Sequence, residues 1–410
     1  MTDAWQIGIL RFIAALGMGG EWSLGVALIN EIWPDRSRAF LAGLIGAAAN
    51  VGYLVIGVVG GAIQQNIQQV RGFLSALYLS DAWVDHLING ENQGWRFLMM
   101  LGAVPALLTF LIRWFVPESE KWERERGRGA TSHWATRDLI SVLIGAIAAC
   151  LMIVLWAVKW KEFFDEASRD GMMPWILAFQ VAGSLVCFGI VTWGYTYPVL
   201  CYLRRAQASG QVGTSESGPT LKRMLLAATL SGVALLGTWG TIQQAPAWSG
   251  TLPQTEPTSA AQTQVAAAFG AILGTIAAAL LGGWLGRRIT YFFLCIASFV
   301  SIQVFFQTST VFDMRFVFLA FVTGAISASF YGWLPLYLPE LFRTSVRATG
   351  QGFGFNFGRI IAAVGVLQLD PLQRALGGLP EACAALSFIY VVGLIVIWFV
   401  PETKGQPLPD

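Results

Sequence analysis

The 410 residues are 55% hydrophobic and only 12% charged, with a mean hydropathy of +0.59, and a water-soluble globule would lack the polar residues to cover its surface. The formal net charge of +2 is too small to mark a surface for nucleic acid or an acidic partner. The composition describes an all-α polytopic membrane protein, each span needing about 20 mostly apolar residues to cross roughly 30 Å of hydrocarbon.

In chain order, uncharged apolar runs predict about eleven spans, near residues 5 to 30, 38 to 63, 95 to 116, 137 to 158, 174 to 202, 223 to 248, 262 to 285, 289 to 307, 315 to 338, 350 to 368 and 381 to 400. The first has no basic residue before it and is too long for a signal-peptide core, so it reads as a retained helix. Between the second and third, residues 64 to 94 place Phe73, Leu74, Leu77, Trp83, Val84, Leu87 and Ile88 at roughly helical spacing. That suits either a short helix on the outer membrane surface or a disordered loop. The segment "RRAQASGQVGTSESGPTLKR" is Gly/Ser-rich, polar and bounded by bases, as a flexible linker is.

Lys and Arg concentrate in alternate loops: Arg36 and Arg38, then Lys121 to Arg137, Arg204 to Arg223, Arg287 and Arg288, Arg343 and Arg347, and Lys404. Cytoplasmic loops carry that excess, which puts the carboxyl end in the cytoplasm and Met1 outside, in a cell (inner) membrane. The five cysteines lie in or beside apolar runs with no CxxC or Cys/His spacing, and neither histidine sits in a ligand pattern. No metal, cofactor or disulfide framework is expected.

"NEIWPDRSRAFLAG", from Asn30, has a counterpart in "PELFRTSVRATGQG", from Pro339; Glu31, Arg38, Ala39 and Gly43 match Glu340, Arg347, Ala348 and Gly352 at one constant offset. "WFVPES", from Trp114, likewise matches "WFVPET", from Trp398. Two anchors in the same order imply a doubled bundle around a midplane site. Three spans precede the matched region in the second copy and none in the first, so three helices are expected to be missing. The implied organisation is an incomplete N-terminal bundle (1–116), a cytoplasmic loop (117–136), two extra helices (137–202), a linker (203–222) and a six-helix C-terminal bundle (223–410).

These motifs resemble the major facilitator superfamily, in its sugar and metabolite:proton symporter branches. "RFIAALGMGGEW" is similar to the family's fourth helix, and "VPES" and "VPETKGQPLP" to the signatures after its sixth and twelfth. Two extra spans before the linker resemble fourteen-helix sialic acid:proton symporters, and "GGE" looks more like organic-acid symporters than plain sugar porters. The signature loop survives only as "GGWLGRR", with Gly283 and Trp284 where Asp and Arg are usual.

A carboxylate at the bilayer centre costs roughly 2.5 to 3.5 kcal/mol, so Glu21 must face a partner or a wet cavity. It reads either as the proton-coupling group or as half of a fixed ion pair, and Arg11 as a substrate contact or, more readily, a structural one. In "GTWGTIQQAPAW", Trp239, Gln243 and Gln244 supply flat faces and hydrogen-bonding groups, while Pro246 loosens the backbone. Tyr331, Trp333 and Tyr337 line the cavity or pack in a belt. Asn356 and Arg359 follow, the guanidinium being a fork suited to a carboxylated solute. Asn50 and Tyr53 are weaker candidates. Glu31 with Arg36 or Arg38, and Glu340 with Arg343 or Arg347, are expected as exposed cytoplasmic pairs. Such pairs contribute under about 1 kcal/mol each, so they would act as a gate, with Arg287 and Arg288, that latches when the inner side closes.

The expected function is a monomeric secondary transporter of a small solute (sugar, sugar acid such as sialate, or organic acid), coupled to protons, bound only to that solute, the proton and the lipid bilayer. The alternative is a truncated or receptor-like membrane protein without transport. No nucleotide loop or catalytic constellation supports an enzyme.

Overall fold

In the computed structural model the described residues are 4–32, 37–77, 79–88, 94–115, 123, 127, 136, 138–158, 160–164, 169–208 and 217–409, and every regular element among them is helical. The first group is α1 (Ala4–Ile32), α2 (Arg38–Gln65), α3 (Ile67–Ala76), α4 (Asp81–Leu87), α5 (Trp95–Leu101) and α6 (Leu108–Phe115). Then come α7 (Asp138–Ala157) and the long α8 (Arg169–Ala208). The remainder is α9 (Ser217–Trp239), α10 (Ala245–Ser249), α11 (Ser259–Leu285), α12 (Arg287–Thr308), α13 (Met314–Ala328), α14 (Phe330–Tyr337), α15 (Thr344–Leu367), α16 (Leu369–Leu376), α17 (Leu379–Leu386) and α18 (Ile389–Val396).

Nine of the described helical segments are long and apolar enough to cross a membrane, and two shorter apolar stretches, Gln6–Ala15 and Trp95–Leu107, stand where two more spans are expected. Their lipid-facing sides carry exposed large apolar residues such as Leu143, Ile147, Phe293 and Phe318. Between α2 and α5 the chain forms two short helices. Leu74, Val84 and Ile88 pack with Ile63, whereas Phe73, Leu77 and Trp83 stay exposed, as on a membrane surface.

Small residues set how closely the helices approach, since apolar side chains gain little from leaving lipid for each other. On α11, a Cβ at Gly270 or Gly274 would sit 2.1 or 1.9 Å from the Phe321 or Ala325 carbonyl oxygen of α13. α2 joins the same layer: a Cβ at Gly43 would lie 2.8 Å from Ile276 Cα, and Gln264 Nε2 donates to Tyr53 O at 2.9 Å. On the other side, α1 lies against α15. Gln351 Nε2 donates to Ser23 O at 2.5 Å, Asn356 Nδ2 donates to Gly19 O at 2.8 Å, and the Trp22 and Phe355 rings stack 3.9 Å apart. α7 and α8 form a hairpin sewn by Trp156 Nε1 donating to Ser184 Oγ (2.9 Å) and closed by the Asp138–Arg205 ion pair. The hairpin meets the bundle where Phe188 packs on Phe357.

Candidate functional site

The helix that begins at Ser217 stops at Trp239. The chain then makes a 3-10 turn over Ile242–Gln244 and resumes as α10, with Pro246 in its first turn. A break in lipid must have its loosened carbonyls satisfied. Side chains meet that need here: Thr241 Oγ1 donates to Gly237 O, and Gln244 Nε2 donates to Trp239 O at 2.8 Å.

The break borders a cavity of about 250 Å³ lined from α1 (Trp22), α2 (Asn50, Tyr53), α9 and its break (Thr238, Trp239, Gln243), α14 (Tyr331) and α15 (Phe355, Arg359), with Gly46, Ala49, Ala267, Ala271 and Gly324 giving it room. Arg359 lies with its guanidinium 4.9 Å from the Phe355 ring centroid, and its Nη1 donates to Asn356 Oδ1 at 3.3 Å. Arg359 Nε is buried without a hydrogen-bond partner, and the buried Tyr331 hydroxyl, beside Thr238 and Trp239, makes no well-aligned one. Buried polar atoms are normally paired, so two orphans on one cavity wall mark a place for a ligand or water.

Of the sequence-predicted residues, the structure thus brings together Trp239, Gln243, Tyr331 and Arg359, with Asn50 and Tyr53. Five others go elsewhere, among them Tyr337, whose hydroxyl donates to Pro401 O at 2.6 Å. Gln244 is spent on the helix break. Asn356 ties α15 to α1 and holds Arg359. Trp333 is wholly buried away from the cavity, donating from Nε1 to Arg287 O at 3.0 Å between the rings of Tyr291 and Tyr337. Arg11 is exposed on α1. The side chains of Glu21 and Glu31 lie outside the described residues. Trp22 was not anticipated; a lone tryptophan in an apolar helix gives no sign of which face it takes.

At the end of the bundle holding the carboxyl-terminal tail, Glu340 is not an exposed partner of Arg343 or Arg347, as the spacing suggested. Its side chain is 2% exposed and accepts from Arg287 Nε (2.9 Å) and Nη2 (2.6 Å), Arg38 Nη1 (3.3 Å) and Thr403 Oγ1 (2.5 Å). The 3-10 turn Leu338–Leu341 directs Glu340 inward, while Arg347, equally buried, donates to Phe342 O and Pro409 O. Arg288 also leaves the expected cluster, donating to Val400 O. Glu402, of the "PET" signature, caps α12 by accepting from the backbone N–H of Arg287 and Arg288 (3.0 Å each), and also from Thr403 and Lys404. Burial pushes the Glu402 carboxyl up, but those four N–H groups outweigh it and hold the group below its ordinary value.

Comparison with known proteins bears on this arrangement. The family model "Sugar (and other) transporter" matches residues 1–139 and 272–410, leaving unmatched residues 140–271, which hold most of α7, all of α8, α9 and α10, and the first part of α11. The inner membrane metabolite transport protein YgcS of Escherichia coli is 25% identical over 402 residues, 97% of this chain and 71% of that protein. The cis,cis-muconate transport protein of Acinetobacter baylyi is 24% identical over 407 residues, 98% and 74% of the two chains. Among solved structures, the proton:xylose symporter XylE bound to 6-bromo-6-deoxy-D-glucose superposes with a TM-score of 0.55 at 18% identity, covering 94% of this chain and 69% of that one.

Proposed function

The chain belongs to the sugar (and other) transporter family, within the major facilitator superfamily, and from that premise we propose that it is a proton-coupled secondary transporter of a small polar organic solute, a sugar, sugar acid or organic acid. The observation that carries the reading is the cavity at the α9 break, enclosed by helices from both sides of the linker, with Arg359 Nε and Tyr331 Oη unpartnered on its wall.

In this reading two bundles rock about the cavity. The tail end faces the cytoplasm, as the Lys/Arg bias requires, and the Arg38–Glu340–Arg287 cluster is the latch that holds it closed. Glu21 takes and releases the coupling proton; a charge crossing with the solute is worth roughly 2.3 kcal/mol per 100 mV. The muconate and xylose relatives bracket the solute classes.

The test is uptake into proteoliposomes under an imposed pH gradient, with sugars, sugar acids and organic acids as labelled solutes. Expected is accumulation of one class, lowered at least tenfold by Tyr331→Phe or Arg359→Lys, and a Glu21→Gln chain that exchanges solute but no longer concentrates it. Uptake indifferent to Tyr331 and Arg359 would move the site elsewhere.

A further inference from the structure

Resting on that transporter reading, we infer that the cavity selects a small monocarboxylate with a flat apolar body over a neutral sugar, the carboxylate seating on Arg359 and Tyr331. Among the described residues no carboxylate pairs with Arg359, whose Nη1 is engaged by Asn356 Oδ1 and whose Nε is orphaned. The Asn356 amide is in turn fixed by its bond to Gly19 O, so the guanidinium is held in place with an open edge. A guanidinium only donates, and the acceptor matching both its charge and its fork is a carboxylate. The Tyr331 hydroxyl offers a further donor on the same wall.

The rest of the lining favours an apolar body. Trp22 stacks on Phe355, and Trp239 and small apolar residues supply most of the remaining surface. Part of the polar lining is already committed: Thr238 Oγ1 donates toward Ala234 O and Ser327 O, and Asn50 Nδ2 to Gly46 O, which leaves Gln243 and Tyr53 as the side chains a hydroxyl could still reach. A sugar entering here would give up bonds to water for few in return. A flat acid gives up only those of its carboxylate, which the clamp replaces.

The test uses the full chain in nanodiscs, labelled benzoate as probe, and sorbate, benzamide and D-xylose as competitors. Expected is saturable benzoate binding displaced by sorbate, with benzamide and D-xylose at least tenfold weaker. Tyr331→Phe lowers benzoate affinity about tenfold, and Arg359→Lys, which keeps the charge but loses the fork, lowers it further. Equal displacement by benzamide, undiminished binding in a monodisperse Arg359→Gln chain, or uptake of D-xylose without carboxylate binding would overturn the assignment while leaving transport intact. Carboxylates that bind as described but cross no vesicle membrane would uphold the site and remove the transport reading.

Discussion

Replacing Arg38 by Ala should open the tail end of the bundle without unfolding it. Of the four bonds that Glu340 accepts, only the one from Arg38, at 3.3 Å, reaches α2; those from Arg287 and Thr403 come from residues after the linker. Arg38→Ala therefore leaves the carboxylate paired and removes one long charge-assisted bond. Such bonds contribute about 1.5 to 3 kcal/mol, and the length puts this one near the lower figure. About 1.4 kcal/mol is tenfold in an equilibrium, so the ratio of open to closed molecules at that end should rise roughly tenfold. Glu340→Gln differs in kind, because it takes the charged acceptor from two buried guanidinium groups at once and costs roughly 3 to 5 kcal/mol, some of it within the structure after the linker. The assay is the spin-label distance between Cys at Phe40 on α2 and Ile289 on α12, both exposed, in a background with the native cysteines replaced, alongside the thermal midpoint. Because Arg38 makes other contacts, the double mutant completes a cycle that isolates the pair. Unchanged distances in Arg38→Ala, or a coupling energy near zero, would refute the latch.

Four further outcomes follow from local geometry. A Cβ on Gly46 would fall 2.5 Å from the Tyr331 carbonyl oxygen, so Gly46→Ala should force α2 from α14 and cost roughly 1 to 3 kcal/mol by thermal denaturation. Gly52→Ala, with nothing within 4 Å, should be neutral or slightly stabilising. Glu402, held below its ordinary value, contributes stability above its unfolded-state value of roughly 4.3 and loses it as pH falls through the folded one. The gap in thermal midpoint between the wild type and Glu402→Gln should therefore be widest at neutral pH and narrow as pH falls below about 4.3. Trp333→Phe should lose about 0.5 to 1.5 kcal/mol of stability, with the hydrogen bond to Arg287 O, while leaving the KM for solute unchanged.

What the sequence made legible follows from the cost of polar groups in lipid. The spans were readable as apolar runs with few charges, and Gln243, Tyr331 and Arg359 stood out because a polar or charged group in such a run needs a reason. Aromatic residues carry no such signal: Trp333 and Tyr331 share one short helix, yet one packs beneath the Arg287 carbonyl and the other borders the void. Charge pairing was also hidden, since the nearest arginines in sequence to Glu340 are Arg343 and Arg347, and its partners come from 53 and 302 residues away. Short-range spacing ranks neighbours along a helix, whereas this cluster is made by three helices meeting at one end.

Two arginines of the second part of the chain make the point sharper. Arg287 is buried and Arg359 half-buried, and taking a guanidinium out of water demands compensation. Arg287 receives it from Glu340 and Gly282 O, with its Nε and both Nη groups engaged. Arg359 has one amide oxygen, one aromatic face and an idle Nε. A residue as costly as Arg359 is tolerated when its missing partner arrives from outside, and an external acceptor that completes it in one orientation of the bundle and not the other gives the solute the differential affinity that any ligand-driven rearrangement requires. On this reasoning the compensated arginine belongs to the gate and the uncompensated one to the cargo.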